Sequence, residues 1–175
     1  MLLRAVGDET PIVDRSGIRG VIVAQTSLDP VVAVERMAED FRKRPETIYA
    51  LFRVIPVQKL IPTNLVEIVA AAKELAAAIG SEETFRVTVE KRRTVLGSHQ
   101  VVDAVAEVIN RQVKLEEPDW IVLVETMGKV TGVSVVRPSS ILNVQKERAR
   151  LSTEAKKGAA LRDEARDCTP PTGGY

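Results

Sequence analysis

Residues 85–90 read Phe-Arg-Val-Thr-Val-Glu. Apolar and polar side chains alternate strictly there, which predicts a strand with Phe85, Val87 and Val89 on one face and Arg86, Thr88 and Glu90 on the other. Elsewhere apolar positions recur at helical spacing. Leu65, Ile68, Val69, Ala72, Leu75, Ala76 and Ile79 form one stripe. Asn64 opens it, with Glu67 in a capping-box arrangement, and Gly80 is the expected C-terminal cap. Val34, Met37, Ala38 and Phe41 form a second stripe behind Asp29 and Pro30, and Arg42-Lys43-Arg44 suits that helix's carboxyl end. A third helix is expected after Gly97, with Ser98 as cap and Val101, Val102, Val105, Val108 and Ile109 facing inward.

Between these helices lie short β-branched runs. Residues 19–24 are charge-free after Arg19 and predict a strand covered on both faces. Residues 48–57 are strand-like, with Pro56 marking an edge or an end. Residues 120–124 and 130–136 predict two strands of a hairpin turning at Met127-Gly128-Lys129. Beyond Glu147, charged and Ala-rich residues to about 166 predict a frayed helix, and the Pro- and Gly-rich end at 169–174 a disordered one. The expected fold is an α/β layer of order βαβαβαββ with a C-terminal hairpin and a helical or disordered tail. Its expected units are an amino-terminal α/β subdomain at 1–62, a second domain at 63–147 and the charged tail at 148–175.

Overall charge balance, 25 Lys and Arg against 24 Asp and Glu, conceals an uneven distribution. Residues 1–80 carry ten of each sign and the tail from 151 four of each, whereas residues 85–150 carry eleven basic against eight acidic side chains. Arg86, Lys91, Arg92 and Arg93 fall together inside that segment, opposed locally only by Glu90. The six aromatics are few, and Tyr49, Phe52, Phe41, Phe85 and Trp120 lie in apolar segments that look like core. Base stacking on an aromatic surface is therefore not expected. The longest uncharged stretches are nine residues, as at 20–28 and 94–102, too short to span a bilayer. No secretory signal is readable, and the single cysteine, Cys168, fits a reducing cytoplasm.

Catalytic chemistry finds few candidates. His99, the one histidine, follows a helix start and has no nucleophile in a recognisable motif beside it. One His and one Cys make no metal site, and neither GxGxxG nor GxxxxGK[ST] occurs, so no cofactor is expected. The acidic pairs Asp8-Glu9, Glu82-Glu83 and Glu116-Glu117 read as solvated charge in turns. The basic cluster supports two readings, a solvated strand end or an RNA phosphate site. In the second, the amides of Gly97, Ser98 and His99 at a helix start would join the cations.

Residues 85–93 (Phe-Arg-Val-Thr-Val-Glu-Lys-Arg-Arg), Ser98 with its helix, 113–119 (Val-Lys-Leu-Glu-Glu-Pro-Asp), 120–125 (Trp-Ile-Val-Leu-Val-Glu) and 133–138 (Val-Ser-Val-Val-Arg-Pro) resemble the THUMP domain in order and spacing. Gly-Ile-Arg-Gly-Val-Ile-Val at 17–23, Arg-Val-Ile-Pro at 53–56 and Pro-Ser-Ser-Ile-Leu at 138–142 are similar to the Tan-type tRNA acetylation accessory proteins. The resemblance spans about residues 17–147 and implies an adaptor without catalytic activity. It would hold tRNA for a separate RNA cytidine acetyltransferase that forms N4-acetylcytidine in the D-stem. An RNA-binding subunit of a split methylating or thiolating enzyme is the alternative. The RNA-binding residues so implied are Arg86, Lys91, Arg92, Arg93 and Ser98, with Lys129 and Arg137 as further basic positions. Pro118-Asp119 also belongs to the family pattern, although a proline ending a loop and an aspartate bonding the turn explain it structurally. Arg92 and Arg93 lie past the alternating stretch, so replacing both is expected to spare the fold.

Overall fold

The alternation at 85–90 does form a strand, and the apolar stripes do form helices, in a computed structural model that describes residues 2–167. The elements are α1 (Leu2–Ala5), β1 (Ile12–Arg15), β2 (Ile22–Gln25), α2 (Pro30–Lys43), β3 (Arg53–Val54), β4 (Lys59–Pro62) and α3 (Leu65–Leu75). They continue as β5 (Thr84–Arg92), α4 (Ser98–Val108), β6 (Gln112–Val113), β7 (Trp120–Met127), β8 (Val130–Val136), β9 (Leu142–Asn143) and α5 (Val144–Asp167). Five strands make the main sheet in the order β4-β8-β7-β5-β6. β5 is parallel to β6 and β7, while β8 is antiparallel to both β7 and β4. The fold is thus mixed α/β, as the sequence predicts.

One face of this sheet is apolar because the odd positions of β5 are. Phe85, Val87 and Val89 join Val122, Val124, Val133 and Val135 against Ile68 and Ala72 of α3 and Val101 and Val105 of α4. The opposite face is crossed by the chain that leads into β4. Ser134 Oγ donates to the Pro56 carbonyl at 2.6 Å and accepts from the Gln58 amide at 3.2 Å, while Gln58 Oε1 accepts from the Val135 amide at 2.7 Å. Gly132 allows a close approach at this crossing, since a Cβ there would stand 3.0 Å from Val57 Cγ1 and Val57 would have to shift. A second core gathers Leu3, Val34, Met37, Phe41 and Ile48 with Leu142 and Val144, so residues after the sheet complete the packing of residues before it.

Several elements differ from expectation for identifiable reasons. The strand predicted at 19–24 forms at 22–25 and pairs with β1, but both faces of this two-stranded ribbon are open and Ile12 and Ile22 are exposed. Residues 48–57 supply only the two-residue β3, paired with β9, because the rest is spent on a turn and on the sheet crossing. Tyr49 and Phe52 are exposed there, whereas Phe41 and Phe85 are fully buried as expected. β4 is the strand that Pro62 conceals: the proline stands at its end, on an edge strand where a missing amide costs no ladder bond. Gly80 is not a left-handed cap; α3 passes into a short 3-10 turn, and the Gly80 amide donates to Glu83 Oε2 at 2.7 Å. At α4 the capping position is Gly97 rather than Ser98, and no side chain caps it. α5 begins at Val144, ahead of the predicted start, whereas Cys168 and residues 169–174 lie outside the described residues. Among the described residues no helix is long and apolar enough to cross a membrane, and no three potential metal ligands cluster.

Ser134 is the link between the sheet and the chain that crosses it, and its hydroxyl serves both a buried carbonyl and an amide. Ser134→Ala is expected to cost about 1 to 3 kcal/mol by leaving those groups unpaired. Denaturant unfolding checks this, with a lowered midpoint and an unchanged slope as the expected result.

Candidate nucleic-acid interface

Strand direction decides where the basic residues go. β4, β5 and β7 run the same way, so their carboxyl ends share one edge of the sheet, together with the amino ends of α3 and α4 and the β7–β8 turn. Lys91, Arg92, Arg93, Ser98 and Lys129 lie at that edge. Arg86 and Arg137 lie at the opposite one, about 20 Å away by the rise of a strand. In open α/β sheets the edge at the carboxyl ends is the usual place for a ligand.

The edge is closed by backbone bonds. The Gly128 amide donates to the Arg92 carbonyl, and the Thr63 amide to the Lys129 carbonyl, each at 2.9 Å. Arg93 stands in the left-handed region at φ 53°, turning the chain away from β5 beside Gly128 at φ 70°. The result is an open groove of about 440 Å³ with Thr63, Asn64 and Leu65 on one side, residues 93–96 on the other, and Gly128 and Lys129 between. Asn64 Oδ1 accepts from the Glu67 amide at 2.9 Å, which leaves the amides of Leu65 and Val66 without an intrahelical acceptor. The positive end of α3 therefore faces the same groove as Arg93 and Lys129. Lys91, Arg93 and Lys129 are exposed, and none of them forms an ion pair among the described residues. Ser98 begins α4 outside the groove lining, and His99 beside it is exposed.

The remaining cations are already engaged. Arg92 Nη1 is 2.5 Å from Glu125 Oε2, and Arg92 Nη2 is 4.0 Å from Glu90 Oε2. Glu90 in turn meets Arg53 at 3.5 Å, which ties β3 to the sheet. Burial pushes the Glu125 carboxyl above the ordinary glutamate range, while the Arg92 guanidinium pulls it back; its second oxygen has no hydrogen-bond partner among the described residues. Arg92 thus holds a buried carboxylate, which corrects the expectation that Arg92 and Arg93 can be replaced together without touching the fold. Arg86 Nη1 donates to the Leu115 carbonyl at 3.1 Å.

Arg137 is fixed more tightly still. Its guanidinium lies 4.1 Å from the centre of the Trp120 ring and donates to Glu83 Oε1 at 2.5 Å. The Trp120 indole donates to Glu83 Oε2 at 2.7 Å. The Gly80 amide, the indole and Arg137 together hold the Glu83 carboxyl below the usual range. Glu83 and Asp8 are therefore not solvated turn charges as the sequence pattern implies. Asp8 is buried and accepts from the Ser27 amide and hydroxyl. Asp119 bonds the Thr84 amide at 2.8 Å and hydroxyl at 2.7 Å, and these lower its pKa. The groove residues Thr63, Thr94 and Val95 carry no charge pattern, and their only sequence signal is that they precede helix starts.

Residues 62–136 match the THUMP domain family. A THUMP domain is therefore present, a domain type that points to RNA binding in tRNA modification. No curated protein sequence matches the chain. The crystal structure of PH1313 from Pyrococcus horikoshii is similar to 77% of this chain at 19% identity with a TM-score of 0.55, so the two share a fold. TrmN from Thermus thermophilus aligns over 79% at 17% identity with a TM-score of 0.49. The solution structure of the THUMP domain of THUMP domain-containing protein 1 aligns over 42% at 21% identity with a TM-score of 0.33 and is covered to 91% of its own length. The chain spans 44% of PH1313 and 42% of TrmN.

Two stability differences follow from the division between engaged and unpaired cations. Arg92→Ala is expected to cost roughly 1 to 3 kcal/mol by stranding Glu125, whereas Lys91→Ala and Lys129→Ala stay within about 0.5 kcal/mol in thermal melting. Glu83 and Asp119 have depressed folded pKa values, so their contribution is present above the ordinary carboxylate pKa, about 4, and is lost as pH falls through the depressed values. Melting between pH 5 and 2 should fall less steeply in Glu83→Gln than in the parent.

Proposed function

We propose that this THUMP-bearing chain is a tRNA-binding adaptor without activity of its own, presenting tRNA to a separate RNA cytidine acetyltransferase for N4-acetylcytidine formation in the D-stem. The observation that carries RNA binding is the set of Lys91, Arg93 and Lys129 at one sheet edge with the amino end of α3, the three cations forming no ion pair among the described residues. Such a set follows a phosphate backbone, and a backbone contact recognises shape more than sequence. The Tan-type resemblance at 17–23, 53–56 and 138–142 favours the acetylation adaptor, and a lone cysteine fits action in the cytoplasm. A second reading is the RNA-binding part of a split tRNA-modifying enzyme, which the same exposed Lys91, Arg93 and Lys129 would serve. The two differ in that only the split enzyme requires a tight stoichiometric complex with a catalytic subunit.

Binding of tRNA to the full chain, followed by fluorescence anisotropy across a salt series, tests the site. Lys91→Ala, Arg93→Asn and Lys129→Ala combined should weaken binding and reduce the salt slope by about 2 to 3, at 0.7 to 0.9 per lost phosphate contact. Asn is chosen at 93 because it tolerates the left-handed backbone there. Mass spectrometry of tRNA nucleosides tests the role: N4-acetylcytidine is expected with acetyl-CoA, acetyltransferase and this chain together. Modified nucleoside formed by the pure chain alone contradicts the adaptor.

A further inference from the structure

Four charged side chains meet on the sheet face turned away from α3 and α4. Glu90 and Arg92 of β5 alternate with the apolar Val87 and Val89, and the parallel register sets Glu90 directly beside Glu125 of β7. Neighbouring strands lie about 4.8 Å apart, so two carboxylates are brought together there. The fourth member, Arg53, comes from β3 and reaches Glu90 Oε1 at 3.5 Å. On the β8 side the residue opposite Glu125 is Gly132, with Val57 over it, so no charge faces Glu125 from there. Two arginines and two glutamates balance one another.

Their exposure is unequal. The Glu125 side chain is 8% exposed, against 42% for Glu90, 33% for Arg92 and 34% for Arg53. Arg92 Nη1 donates to Glu125 Oε2 at 2.5 Å, but Glu125 Oε1 has no hydrogen-bond partner among the described residues. A buried carboxylate needs partners at both oxygens to replace the water it has lost, and one arginine at one oxygen supplies only part of them. Desolvation pushes the Glu125 carboxyl above the ordinary glutamate range against the pull of Arg92; Glu90 adds to the rise and Arg53 subtracts from it. Arg92 has a second acceptor within reach, since its Nη2 stands 4.0 Å from Glu90 Oε2.

We propose that these four side chains form a proton-operated joint between β3 and the main sheet. With Glu125 ionised, it holds Arg92, and Glu90 is left to Arg53. With Glu125 protonated, Arg92 turns to Glu90, the group carries a net positive charge, and repulsion between the two guanidinium groups loosens Arg53. Because β3 pairs with β9 over two residues only, a weaker Arg53 contact loosens that pairing as well. The joint is separate from RNA binding and regulates how firmly the segment before β4 is held to the sheet.

The test is NMR of the full chain across a pH series, following the Glu125 carboxyl carbon and the guanidinium signals of Arg53 and Arg92. Glu125 should titrate above the ordinary glutamate value of about 4.3, and both guanidinium signals should shift with the same midpoint. Hydrogen exchange, corrected for its intrinsic pH dependence, should show the Val144 amide, which donates to the Phe52 carbonyl at 3.0 Å, losing protection below that midpoint. Glu125→Gln is neutral at every pH, so it should abolish these responses and leave the Val144 amide at its low-pH protection throughout. Glu90→Gln should lower the Glu125 midpoint by removing a like charge. A Glu125 midpoint at or below the ordinary value overturns the joint, as does an Arg53 signal that ignores the Glu125 titration. Arg53 and Val144 responses that persist in Glu125→Gln belong to another group and overturn it equally.

Discussion

Parallel pairing between β5 and β7 is the constraint on which the rest depends. Two parallel neighbours cannot be joined by a tight turn, so α4 must cross over between them, and it packs on the face that already carries Phe85, Val87 and Val89. α3 reaches that face in the same sense from β4. Burial of the two helices and orientation of their amino ends are thus one event. The edge that receives both helix starts also receives the end of β5 and the β7–β8 turn, so three separate stretches of chain bring positive charge to one place without touching one another in sequence.

Six basic positions resemble one another when read as letters, yet the fold divides them by what stands opposite. Arg92 and Arg137 face Glu125 and Glu83 across the sheet and across a turn, and each arginine satisfies a carboxylate that would otherwise be poorly paired. Lys91, Arg93 and Lys129 face water and a helix end. Arginine's planar fork suits the first task, since it can bond a carboxylate and lie over an indole at once. The same side chain can hold a fold or recognise a phosphate, and partnership alone separates these duties.

Periodic segments were the legible part. The stripe from Leu65, the stripe from Val34 and the alternation from Phe85 each declare one buried face, and the structure buries those faces. What stayed hidden needed knowledge of distant partners. β4 looks like a stop because Pro62 ends it, and only pairing with β8 explains why an edge tolerates it. Tyr49 and Phe52 look like core because their neighbours are apolar, but Ile48, Leu51 and Val54 supply that segment's burial and leave the two rings outside it. Glu83 looks solvated because nothing nearby in sequence announces Trp120 or Arg137. At the candidate interface, charge was visible from composition, while the split between its two edges followed from strand direction.

The second core has a temporal side. Leu142 and Val144 close the apolar surface built by α1 and α2, yet they are encoded on the far side of the whole sheet. During synthesis the first 50 or so residues emerge about 90 residues ahead of them, an interval of roughly 5 to 20 seconds at ordinary elongation rates. Through that interval Phe41 and Met37 lack their final neighbours, and the amino-terminal unit reaches its native packing only after the sheet has been made. The unit that matures last is therefore synthesised ahead of the sheet whose following residues complete it.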